Sequence, residues 1–157
     1  MNAEPQKAES SPNSRNSAAR LAAVQALYQI KGNKEPVALV IEEYRQHRLG
    51  KSIDGDEAII ADSLLFERIL KGVAEHIETI EEMLVAALTK DGQARAVPAE
   101  PLLNSILICG AYELMSHQDI DAPILIDDYL NITHAFYDQG EHKLVNAVLD
   151  RVKSMTR

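Results

Sequence analysis

The sequence predicts an all-α fold of about seven helices, packed as two helical bundles. Apolar residues recur at helical spacing in successive segments, and no stretch alternates between apolar and polar residues as a half-buried β-strand would. Glycine and proline separate these segments, which marks the loops between the helices. Because aromatic residues make up only 4% of the 157 residues, the core is expected to be aliphatic.

A polar segment precedes the first predicted helix. Residues 1–14 are rich in Ser, Asn, Glu and Pro and lack apolar periodicity, so we expect a disordered tail ahead of one domain over residues 15–157. From Ala18 to Ile30 the chain is apolar almost all round, and such a helix must be covered on more than one side. This first helix is therefore predicted to be central, with Pro36 beyond its end.

A surface helix follows, and after it a pair of consecutive helices. Four apolar residues share one face of the surface helix: Val37, Val40, Ile41 and Tyr44. Beyond a loop over residues 49–56, the helical period resumes at Leu65, Ile69, Val73 and Ile77. Thr79 precedes Glu82 by three residues, which is the spacing of a capping box. We therefore expect a break near Glu78 and a new helix through Leu88.

Three further helices are predicted in the second half of the chain. A buried stripe follows Pro101 and includes Gly110, which suggests a close contact between helices. Pro123 suits the first turn of the next helix, and Gly140 suits its end. The last helix is expected to bury Leu144, Val145, Val148, Leu149 and Val152. Its outward face would then carry Lys143, Asn146, Asp150 and Lys153.

Charge and cysteine content exclude several classes of protein. A formal net charge of −8 argues against coating nucleic acid through bulk electrostatics, so any RNA site must be a local basic patch. Cys109 is the only cysteine and lies in an apolar run, so we expect a buried thiol, with neither a disulfide nor a thiolate zinc site. Neither a membrane-spanning run nor a secretory signal is recognisable, and the protein is expected to be cytoplasmic.

The motifs of common enzymes fail on their spacing. Gly50, Lys51 and Ser52 spell the end of a phosphate-binding loop, but Arg45 stands where that motif needs glycine. The five histidines lack the spacing of metal ligands, and neither a nucleophile elbow nor a zinc-protease motif is present. We therefore expect no catalysis, no cofactor and no metal.

Three segments together resemble the NusB family of transcription antitermination factors. They are AARLAAVQALYQ at Ala18–Gln29, FERILKGVAE at Phe66–Glu75, and the stretch from GAYELM at Gly110–Met115 to HKLVNAVLDRV at His142–Val152. The resemblance implies two small helical bundles and binding to the boxA element of ribosomal RNA leader transcripts. It also implies a heterodimer with the ribosomal protein NusE, which supports processive elongation by RNA polymerase together with other Nus factors. Self-association into a homodimer also occurs among NusB relatives.

The resemblance assigns roles to five residues. Arg15 and Arg20 correspond to the arginine-rich start of the family and are expected to contact RNA. Lys143 and Asn146 match the last motif and are expected to contact RNA as well. Tyr28 corresponds to a tyrosine near the family's protein-binding surface.

Three positions depart from the family pattern in ways that change the expected RNA surface. Leu144 replaces a frequent aromatic residue and offers no π face for base stacking. Pro123 stands where a cation is common after the turn, and Gly140 stands where an acidic residue precedes the His-Lys pair. Only two cations, Arg15 and Arg20, remain in the arginine-rich start, and Pro123 removes another, so RNA binding is expected to depend on the protein partner.

Two alternative functions remain open at this point. The loss of cations keeps open a helical protein-interaction module without RNA binding. Direct titration with RNA separates it from an antitermination factor. The second alternative is a relative of the NusB-like domain of ribosomal RNA cytosine methyltransferases. Those enzymes carry a following α/β domain with a catalytic cysteine, whereas this chain stops at Arg157.

Overall fold

The computed structural model describes residues 11–49 and 60–157. Residues 1–10 and 50–59, which hold most of the predicted tail and the Gly50–Ser52 segment, lie outside the described residues. The described ranges contain six helices and confirm the all-α prediction: α1 (Pro12–Asn33), α2 (Val37–His47), α3 (Ser63–Leu88), α4 (Pro101–Ser116), α5 (Ala122–Phe136) and α6 (Glu141–Thr156). None of these helices is long and apolar enough to cross a membrane.

The helices form two groups, as predicted, with three helices in each. Helices α1, α2 and α3 pack against one another, and so do α4, α5 and α6. The two groups meet because α4 packs against both α1 and α3. Helix α4 is buried along most of its length, because its sequence is apolar almost all round. Within the described residues, α1 and α6 are not in contact, and α5 touches both of them.

Helix α1 begins at Pro12, three residues before the predicted start at Arg15. The side chain of Ser11 accepts a hydrogen bond from the backbone N–H of Ser14 at 3.1 Å, which caps the helix, and proline is favourable in a first turn. The helix ends before Lys34, which adopts a left-handed conformation with φ of 53°. Contacts with four other helices confirm that α1 is central.

Helix α3 occupies the segment in which the sequence predicts two helices. Its backbone departs from helical geometry at His76, with φ of −117° and ψ of 19°, two residues before the predicted break near Glu78. The helix continues beyond this kink because Val73 and Ile80, on either side of it, are both buried in the same core. The predicted seventh helix is therefore the second part of a kinked α3.

Glycine permits close helix packing at two places. A Cβ atom on Gly110 would lie 3.0 Å from both methyl groups of Leu149 on α6, which confirms the close contact expected there. A Cβ atom on Gly72 would lie 1.9 Å from the hydroxyl oxygen of Tyr112 and 2.0 Å from its Cζ atom. The Tyr112 ring lies edge-on to His117, with ring centroids 5.4 Å apart, so it has little room to move away.

Replacing Gly72 with alanine is expected to lower the free energy of unfolding by about 1–3 kcal/mol, since the added methyl group overlaps the Tyr112 ring. Urea denaturation measures this change. Gly32→Ala is the matched control, because among the described residues a Cβ atom at Gly32 would meet nothing within 4 Å. Equal stability of the two variants would mean that the Tyr112 ring moves aside without cost.

Candidate RNA- and partner-binding surfaces

Arg20 is held inside the protein by two carboxylates. Its Nε and Nη2 atoms donate to Glu113 at 2.7 and 3.2 Å, and its Nη1 atom donates to Asp128 at 2.6 Å. Only 2% of the Arg20 side chain is exposed. This two-pronged geometry is the strongest form of an arginine–carboxylate pair. The guanidinium is therefore committed to Glu113 on α4 and Asp128 on α5, whereas the sequence resemblance assigns Arg20 to a contact with RNA.

Glu113 is the centre of this buried network. The hydroxyl of Tyr129 donates to it at 2.6 Å, and Nδ1 of His117 lies 3.0 Å from its other oxygen. Burial alone would raise the pKa of Glu113, but hydrogen bonds from His117 and Arg20 hold that pKa below its usual value. Burial and the charge of Glu113 raise the pKa of Tyr129 well above its usual value. The network thus contains an ionised carboxylate and a neutral phenol at neutral pH.

An acidic cleft of about 460 Å³ lies beside Arg20, between the first half of α1 and the start of α5. Its lining includes Asp119, Asp121, Asp127 and Asp128. The charge of Arg20 is already balanced by Glu113 and Asp128, so it does not offset the remaining aspartates. An RNA phosphate would be repelled by this cleft. The sequence shows the loss of one cation at Pro123. The fold adds negative charge, because it gathers these four carboxylates in one cleft.

Arg15 is exposed on the first turns of α1. It precedes Arg20 by five residues, which places the two side chains about 140° apart around the helix axis. The structure follows this geometry, since Arg20 points into the core and Arg15 does not. Because α1 and α6 are not in contact within the described residues, helix packing does not place Arg15 directly beside Lys143.

Lys143 and Asn146 are both exposed on α6, as predicted. Successive residues of an α-helix are 100° apart, so these two and His142 lie within an arc of about 100°. We call His142, Lys143 and Asn146 the α6 face. Leu144 is partly buried and packs against the core, so its side chain is engaged inside the protein. The α6 face is one part of the last motif that is open to a ligand.

Tyr28 lies on the surface of α1, with 48% of its area exposed. It borders a cavity of about 590 Å³ that is also lined by residues of α2 and by Pro101 at the start of α4. In the lining of this cavity the guanidinium of Arg48 lies over the Tyr44 ring, 5.1 Å from its centre. The surface around Tyr28 therefore combines aromatic, amide and cationic groups, which suits contact with a protein.

Sequence reasoning missed the buried network around Arg20. The available signal was one arginine within an otherwise apolar helix and one glutamate, Glu113, in the buried stripe of another. Two opposite charges on the buried faces of two helices are expected to find each other, since an unpaired buried charge is costly. The same reasoning would have separated Arg20 from the surface cations.

A two-bundle helical fold with polar and aromatic side chains open to ligands is typical of a helical adaptor protein. Within residues 11–49 and 60–157 no group of three or more side chains is suited to hold a metal ion. The chain belongs to the NusB family, whose model matches residues 17–154. This is the family of the transcription antitermination protein NusB, which is not an enzyme.

Relatives of known name support the same assignment. The transcription antitermination protein NusB of Mesorhizobium japonicum is 44% identical over 140 residues, which is 89% of each chain. The protein of the same name from Agrobacterium fabrum is 37% identical over 154 residues, which is 98% of this chain and 92% of the relative. These matches confirm the resemblance seen in the three sequence segments. They give no support to the methyltransferase alternative.

Two solved structures have a similar fold. NusB of T. maritima aligns with a TM-score of 0.68 and 22% identity over 92% of each chain. A crystal structure of the antitermination factors NusB and NusE in complex with dsRNA aligns with a TM-score of 0.69 and 19% identity, over 88% of this chain and 96% of that one. At these identities the likeness establishes the fold.

Proposed function

We propose that this antitermination protein binds boxA RNA of ribosomal RNA leader transcripts as a heterodimer with the ribosomal protein NusE. The pair would join the RNA polymerase elongation complex through other Nus factors. The observation that carries this proposal is the exposed α6 face, which offers a cation and an amide side by side. A family member of the same fold has been crystallised with NusE and dsRNA, which supports both partners.

The RNA path is proposed to follow α6 rather than the acidic cleft. Lys143 supplies a phosphate contact, and Asn146 supplies a donor and an acceptor for a base edge or sugar. Arg15 adds a second phosphate contact from the start of α1. Arg20 is left out of the contacts with RNA, because its guanidinium is buried between Glu113 and Asp128. We propose that it acts by holding α1 against α4 and α5.

The protein partner is proposed to cover the surface around Tyr28. A half-exposed tyrosine combines a large apolar ring with a hydroxyl, and such residues are enriched at interaction hot spots. A basic ribosomal protein would also complement the net charge of −8. Bound there, it would supply cations that this chain lacks and extend the surface available to RNA.

One alternative function is kept because a specific observation favours it. The acidic cleft and the pairing of Arg20 leave few cations for RNA, which suits a protein-interaction module without RNA binding. Titration of the heterodimer with boxA RNA separates the two functions. Saturable binding that depends on the RNA sequence supports the antitermination adaptor, and its absence at low salt supports the interaction module.

Addition of NusE is expected to tighten the binding of boxA RNA by at least about tenfold, which corresponds to about 1.4 kcal/mol. With about two accessible phosphate contacts, the isolated protein should show a salt slope near −1.4, and the heterodimer should show a steeper one. Fluorescence anisotropy at several salt concentrations measures both quantities.

Lys143→Glu provides the directed control for this experiment. It should weaken the ternary complex while leaving the heterodimer intact, because Lys143 lies on α6 and Tyr28 lies on α1. Arg151→Glu makes the same charge change at another exposed position of α6 and should have a smaller effect. Equal RNA affinity with and without NusE, or an unaffected Lys143→Glu complex, would place the RNA on another face.

A further inference from the structure

Two histidine rings lie against each other at a tilt where α5 ends and α6 begins. The imidazoles of His134, in the last turn of α5, and His142, in the first turn of α6, have centroids 4.6 Å apart and planes tilted by 31°. His134 is exposed and His142 is partly exposed. The spacing of the histidines in the sequence gave no sign of this pair, because the turn between the two helices brings the rings together.

The pair adjoins the surface proposed for RNA. His142 belongs to the α6 face, together with Lys143 and Asn146, and the stack places His134 against His142 on the side of α5. An exposed imidazole, a lysine ammonium and an amide therefore lie at one end of the second bundle. These are the three kinds of group that contact the base, the phosphate and the base edge of single-stranded RNA.

The geometry of the pair fits stacking better than metal binding. The ring nitrogens and their lone pairs lie in the planes of the imidazoles. When two planes face each other at a tilt of 31°, those lone pairs do not converge on one point between the rings. His134 is exposed, and the centroid distance of 4.6 Å puts its ring against that of His142, so His142 is positioned to support one side of the His134 ring while a base lies on the other.

We infer that His134, supported by His142, is the stacking platform for one unpaired nucleobase of the bound RNA. This inference rests on the proposed function. The base lies on the outer face of the His134 ring while Lys143 contacts a neighbouring phosphate. This assigns base stacking to a position outside the last sequence motif. Leu144 cannot perform it, because its side chain packs against the core and has no π face.

The test uses the full chain with NusE and boxA RNA carrying 2-aminopurine at one unpaired position at a time. A stacked 2-aminopurine loses fluorescence, so one position should be quenched in the wild-type complex. His134→Ala should abolish that quenching and weaken RNA binding by about tenfold, in the range found for one stacked base. His47→Ala is the control, because His47 is an exposed histidine on α2.

Two further variants distinguish stacking from a charge contact. His134→Phe keeps a π face and should retain RNA affinity within about threefold, whereas His134→Lys supplies a cation without a π face and should bind like His134→Ala. Thermal denaturation of each variant checks that the fold is intact. Rescue by lysine and not by phenylalanine would overturn the inference in favour of a phosphate contact.

The remaining outcomes separate this inference from the proposed function. If the wild-type heterodimer binds RNA and His134→Ala leaves quenching and affinity unchanged, the stacking role of His134 would be overturned. The proposed function would stand. Absence of saturable RNA binding by the wild-type heterodimer would overturn the proposed function and the platform with it.

Discussion

Replacing Arg20 with methionine is expected to lower the free energy of unfolding by about 3–5 kcal/mol. The substitution leaves Glu113 buried without its bidentate partner, and Asp128 loses the same guanidinium. Removal of one member of a buried ion pair is costly because the remaining charge stays out of water. Equilibrium denaturation in urea, followed by circular dichroism, measures the loss.

Two variants make this result specific to the ion pair. Arg15→Met makes the same change at an exposed position of α1 and should alter stability by no more than about 0.5 kcal/mol. Adding Glu113→Gln to Arg20→Met removes the uncompensated charge and should restore part of the lost stability. If Arg20→Met were as stable as Arg15→Met, the guanidinium would be free in solution and Arg20 would return to the RNA contacts.

Most of the fold could be predicted because helix formation leaves a local record in the sequence. The spacing of apolar residues located all six helices, and breakers such as Pro36 and Gly140 lie between them. The start of α1 was predicted three residues late, because the segment around Ser11 lacks apolar residues and its capping hydrogen bond is made by polar ones. Helix caps, unlike apolar stripes, are easily mistaken for a solvated tail.

The kink in α3 shows where local rules are insufficient. Thr79 and Glu82 have the spacing of a helix start, and the sequence therefore predicts a break. In the structure Ile80 and Leu84 are fully buried in the same core as Val73, so tertiary packing carries the helix past the capping signal. A bend at His76 accommodates both tendencies.

The site was less predictable than the fold because its contacts join distant parts of the chain. Arg20 and Glu113 are 93 residues apart, so no local pattern pairs them. Likewise, His134 and His142 belong to different helices, and only the turn between α5 and α6 stacks their rings. By contrast, Lys143 and Asn146 follow from helical periodicity on one helix, and both are exposed as expected.

A substitution at Tyr28 tests the surface proposed for the protein partner. Replacing it with aspartate is expected to weaken the heterodimer with NusE by at least about thirtyfold, or about 2 kcal/mol, which is the scale of an interface hot spot. An aspartate would lose the ring's contact area and bring an unpaired charge into the interface. Because 48% of Tyr28 is exposed in the free protein, the free energy of unfolding should change by less than about 1 kcal/mol.

Leu64→Asp is the matched control for Tyr28→Asp. Leu64 is 66% exposed and is the second residue of α3, where the helix dipole favours a negative charge, so this variant should fold and bind NusE normally. Tyr28→Phe tests the hydroxyl separately and should retain most of the affinity if the ring carries the contact. Loss of the cooperative thermal transition in Tyr28→Asp would instead assign Tyr28 to the core, and normal NusE binding by a folded Tyr28→Asp variant would move the partner surface away from α1.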